Sequence, residues 1–156
     1  MQPADEPENS NWNVFQAIVE QAGDAMIFAD RDGAIRVWNR GAQAVFGYSA
    51  AEVLGKSLDV IIPERFRRAH WQGFHRAIDT GQTKYGDRVL TTRSLHKNGS
   101  KLYVDMSFGL IINAAGAVAG ALAVARDCTA RQLADNALCA RVAELEEEAR
   151  AAAKKP

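Results

Sequence analysis

KLYVDMSFGLIIN, residues 101–113, alternates in character: Leu102, Val104, Met106, Phe108 and Leu110 take one set of positions, and Tyr103, Asp105, Ser107 and Gly109 the other. Successive side chains of an extended chain point to opposite faces, so this segment reads as a β-strand with one apolar face. Upstream, Lys97-Asn98-Gly99 is a turn that joins it to a strand over residues 84–95. Downstream, Asn113-Ala114-Ala115-Gly116 turns the chain into a third strand over residues 117–127. Nearer the N-terminus, residues 25–30 and 34–39 flank Arg31-Asp32-Gly33, whose Asp-Gly step marks a β-hairpin. The expected inward-facing set across these strands is Met26, Phe28, Val37, Val104, Met106, Phe108, Leu122 and Val124.

The intervening segments read as helices. Val14, Phe15, Ile18 and Val19 recur at helical spacing before Gly23, which predicts an amphipathic helix over residues 11–22. Asn39 can cap a short helix that stops at Gly47, and Ser49 with Glu52 has the capping-box spacing for another. Pro63-Glu64 opens a longer helix to about Asp79, closed by Thr80-Gly81. Beyond Asp127 the composition shifts to Ala, Glu, Arg and Leu, predicting a helix from Thr129 towards Ala153. On it Leu138, Val142, Leu145, Ala149 and Ala152 alternate in steps of four and three, a short coiled-coil seam. Hairpin, short helices, three strands and flanking helices make an α+β domain with its helices on one face of an antiparallel sheet.

At 156 residues and 47% hydrophobic content the chain builds one core. Lys plus Arg and Asp plus Glu both number 19, so no net field draws it to nucleic acid or an anionic membrane. Residues 1–10 are polar and acidic and read as a disordered lead; residues 11–128 form the domain, and residues 129–156 the C-terminal helix. No stretch reaches the eighteen or so apolar residues of a membrane span, so the expected location is cytoplasmic. Cys128 and Cys139 have neither zinc-ligand nor disulfide-framework spacing. Without a phosphate loop, a nucleophile elbow or a metalloprotease motif, a binding module is expected rather than an enzyme.

Taken in order, AMIFAD with Asp32-Gly33, then Trp38-Asn39-Arg40-Gly41-Ala42, FGYSAAEVLGK at 46–56, IPERF at 62–66, Lys97-Asn98-Gly99-Ser100 and Arg126-Asp127-Cys128-Thr129 resemble the PAS family across about residues 11–130. The resemblance implies a five-stranded antiparallel sheet whose inner face and covering helices enclose a sensory pocket. The two flanking helices each carry an apolar stripe that the sheet cannot wholly cover, which predicts a homodimer held by the first helix and the tail helix; the resemblance implies signalling through such helices to a downstream protein or domain.

In the haem-binding branch of the family the axial histidine follows the proline of an Ile/Met-Pro lead by seven residues. His70 stands seven after Pro63, and Arg76, six further on, stands where that branch contacts a haem propionate. A neutral imidazole is an ordinary haem-iron ligand. The resemblance places Met106 and Phe108 on the distal side, and Leu90 where oxygen sensors carry an arginine. A fully apolar distal side favours carbon monoxide or nitric oxide over oxygen, unless Arg88, two residues earlier on the same face, or Tyr85 reaches in. Residues 55–61 contain no cysteine, which disfavours cysteine-linked flavin, while noncovalent flavin stays open. Three occupants therefore remain: haem on His70, a small organic ligand, or none, with a filled core that serves dimerisation. His75 and His96 read as surface residues, and Trp12, Trp38 and Trp71 as packing residues with Trp71 near the pocket.

Overall fold

The computed structural model of the chain describes residues 13–153. The expected lead over residues 1–10 and Trp12 lie outside them. Helix α1 is Val14–Gln21, started by the Asn13 side chain, which accepts from the amides of Phe15 and Gln16. Strands β1 (Ala25–Asp30) and β2 (Ile35–Trp38) form the hairpin, and two short helices follow, α2 (Arg40–Phe46) and α3 (Ala50–Val53). A 3-10 turn over Leu58–Val60 leads to α4 (Glu64–Thr80), then β3 (Leu90–Leu95), β4 (Lys101–Ile112), β5 (Val118–Asp127) and α5 (Thr129–Ala153). The five strands make one antiparallel sheet in the order β2-β1-β5-β4-β3.

Two expectations are corrected. β3 begins at Leu90 rather than 84, because Gly86 at φ 56° and a bond from the Arg88 amide to the Tyr85 carbonyl fold residues 84–89 into a turn. The second concerns faces. β4 sends Val104 and Met106 inward as expected, but β1 turns its other face to the core, burying Ala25, Ile27 and Ala29 rather than Met26 and Phe28.

 Ala25, Ile27 and Ala29 of β1 point inward and lie opposite Ala125, Ala123 and Ala121 of β5, while Met26, Phe28, Val37, Leu122 and Val124 share the outer face, half-buried. α2 packs on the inner side of β1, and a Cβ on Gly41 would sit 2.2 Å from the carbonyl oxygen of Asp24, just before the strand.

The main core gathers Ile27, Ile35, Trp38, Phe46, Val53 and Val104; a smaller cluster joins Ala29 to Phe74 and Ile78 of α4. Asn39 is a buried polar hub between them and α1. Its Oδ1 accepts from the amides of Met26 and Ala42, both at 2.8 Å, and its Nδ2 donates to the carbonyls of Val19, Asp24 and Ala22 at 2.8, 3.0 and 3.4 Å. It both caps α2 and ties down the connection from α1 to β1.

At the far end, the Tyr103 amide of β4 donates to the Thr129 hydroxyl at 2.9 Å, and Arg131 pairs with Asp105 of β4 at 2.9 Å. These contacts anchor the first turn of α5. Its 25 residues then run on with none buried, and Leu138, Val142 and Leu145 are exposed.

Candidate functional site

Alanines on the two central strands leave room under α4, and an apolar cavity of about 140 Å³ occupies it. Its floor is Ile27, Ala29, Ala121 and Ala123 with Met106 and Phe108; the 3-10 turn contributes Leu58, and Ile61 and Ile62 follow it. Phe66, His70 and Phe74, spaced four apart along α4, form the roof, and Thr92 and Ser94 of β3 the side. Two bonds to Asp59 help set the pitch of α4: Trp71 Nε1 donates to its carboxylate at 2.8 Å, and Arg67 to its carbonyl at 3.1 Å.

His70 is the chemically distinctive member of this lining. Its Nδ1 is buried and has no hydrogen-bond partner, alone in this among the side-chain nitrogens and oxygens of the described residues. Burial pushes the imidazole pKa below the ordinary histidine range, with the Asp59 charge opposing and His75 adding to the shift. The ring is therefore neutral at pH 7. It stacks on Phe74 at 6.0 Å between centroids and meets the edge of Trp71 at 5.0 Å.

A second, polar cavity of about 580 Å³ lies on the adjoining side of α4, between Ala69, Gly73 and Arg76 and the loop carrying Gln82, Thr83, Lys84 and Tyr85. The two meet at an aromatic pair: Tyr85 lines the second, and its ring lies 6.0 Å from Phe108, which lines the first.

Of the residues singled out from sequence, His70, Met106 and Phe108 thus share the apolar cavity, and Arg76 and Tyr85 the polar one. Leu90 and Arg88 line neither. Leu90 sits opposite Met106 in the β3–β4 register, and Arg88 is exposed, its Nε donating back to the Tyr85 carbonyl at 3.3 Å. His75 is exposed, but His96 is half-buried, its ring occupying the space above Gly47 and its Nδ1 accepting from the Asn98 amide. Trp38 is buried, and Cys128 is buried while Cys139 is exposed. Sequence reasoning missed Phe66 and Phe74, whose spacing with His70 was the available signal, and the inward alanines. No helix of the described residues is long and apolar enough to cross a membrane.

Residues 13–128 match the family described as PAS fold. Among curated proteins, an uncharacterized protein of Azorhizobium caulinodans is 35% identical over 86 residues, covering 54% of this chain and 12% of its own length. The oxygen sensor protein DosP of Escherichia coli is 23% identical over 96 residues, covering 62% of this chain and 12% of its own. This chain therefore aligns with only a small part of these longer relatives. Among solved structures, the PAS domain of a protein from Colwellia psychrerythraea superposes with a TM-score of 0.64 at 22% identity, covering 75% of this chain and 98% of that one. With the family matched across the whole sheet and its covering helices, the chain belongs to the PAS family.

Proposed function

We propose that this chain is a sensory binding module, not an enzyme, that holds haem between α4 and the sheet with His70 as the axial ligand. The observation that supports this is the neutral, unpartnered imidazole on a mostly apolar wall, with Thr92, Arg93 and Ser94 of β3 at its side. A buried polar atom left unpaired costs about 1–3 kcal/mol, and a bound group that reaches Nδ1 would remove that cost. The donor chemistry suits haem iron, and the similarity to an oxygen sensor points the same way. Haem when bound supplies an iron on which a gas or a redox change is sensed. Met106 and Phe108 would keep water from it, and Arg76 would meet a propionate.

The fit depends on the two cavities joining. By itself 140 Å³ is below the roughly 300–1,000 Å³ of small-molecule sites, so a porphyrin requires Tyr85 to leave Phe108. Titration of the purified protein with haemin tests the reading: a shifted Soret band saturating at one haem per chain is the expected result. No shift would sink it. The same small volume favours a second reading, a small organic ligand, because an apolar cavity of about 150 Å³ accommodates benzene.

Signal output in this proposal runs through a homodimer to a downstream protein or domain. Phe15 and Ile18 of α1 are 76% and 58% exposed, and the outer sheet face carries Met26, Phe28, Leu122 and Val124. Light scattering at high micromolar concentration should give twice the chain mass, and Phe15→Glu with Ile18→Glu should return it to the monomer. A wild-type monomer would remove the dimer from the proposal.

A further inference from the structure

The polar cavity beside α4 carries two cations and no carboxylate. Arg76 and Lys84 both line it, neither makes an ion pair among the described residues, and Gln72, Thr80 and Thr83 supply further polar groups. Gly73 lies in its wall. A glycine within a helix is unfavourable relative to alanine, and a Cβ here would meet nothing within 4 Å, so packing does not explain it. What its bareness does is keep the recess open against the helix backbone.

We propose that this recess binds the carboxylate of a free organic acid whose ring-sized apolar body occupies the 140 Å³ cavity next to His70. The proposal rests on the small-ligand reading of that cavity and names its ligand class. Volume sets the body, since the apolar cavity matches one aromatic ring. Charge sets the head: a guanidinium and an ammonium with no competing acid recognise a carboxylate. The Tyr85–Phe108 pair stands where body and head would join, so its parting admits the ligand.

Calorimetric titration with 3-phenylpropionate and with 3-phenylpropanol separates head from body. The acid should bind about tenfold tighter than the alcohol at low salt, a difference that Arg76→Gln and Lys84→Gln each reduce and that added salt weakens. Both substitutions are at exposed positions, so the fold survives them. Gly73→Leu should raise the melting temperature yet abolish binding of the acid. Equal binding of acid and alcohol, lost together in Ala123→Leu, would leave the small-ligand reading standing and overturn the carboxylate. Binding of neither probe overturns both. Haemin and its dimethyl ester form the last arm: a preference for haemin, with none for phenylpropionate over its alcohol, assigns the recess to propionates and overturns the free-acid proposal.

Discussion

His70→Ala should abolish the Soret shift produced by haemin, lowering affinity by about two orders of magnitude or more, while the protein keeps its far-ultraviolet dichroism and melts within a few degrees of wild type. Loss of affinity follows from removing the iron's ligand; groups that merely orient such a ligand already affect affinity by about 10- to 100-fold. Retention of the fold follows from what His70 does without haem. Its Nδ1 makes no hydrogen bond, so alanine removes an unsatisfied buried atom along with the contacts to Phe74 and Trp71, and the two effects oppose. Because the folded-state pKa is lowered, protons compete for the ring only below the ordinary histidine range, and haem should stay bound as pH falls into that range. Unchanged haem spectra in His70→Ala would assign the iron to another residue.

Asn39→Ala should cost about 3–5 kcal/mol, a large share of the roughly 5–15 kcal/mol that holds an ordinary domain folded. The estimate has two parts: loss of an N-cap, typically about 1 kcal/mol, and the stranding of buried amides and carbonyls that no water readily reaches. Asn39→Asp separates them. Aspartate keeps the acceptor for Met26 and Ala42 but loses the donor to three carbonyls and sets a negative charge among them. Urea unfolding should therefore place the aspartate variant far below wild type despite its intact cap; equality with wild type would mean the three carbonyls do not depend on Nδ2.

The capping role of Asn39 was legible because Asn before a short apolar run is a local signal. Its three carbonyl partners were not, since they come from segments 15 to 20 residues earlier and meet it only in the fold. The same division holds for the sheet. β4 could be oriented from sequence because its polar and apolar residues alternate, whereas AMIFAD is apolar on both faces and carries no such information. Preference for the larger side chains as core then chose the wrong face. That choice also hid the cavity, which exists because alanines line its floor. His70 could be picked out because its spacing from Pro63 is a property of the chain; the separation of Arg76 into a second cavity depends on how α4 and the following loop pack.

β4 presents Met106 to the cavity and, one residue away on its other face, Asp105 to Arg131 of α5. If occupancy of the cavity changes how firmly α5 is held, thermodynamic reciprocity requires that restraint of α5 change the cavity's affinity by the same factor. A chain ending at Asp127 and the chain of 156 residues should then bind the same ligand with different affinities, and identical values would show the two faces of the strand to be energetically independent.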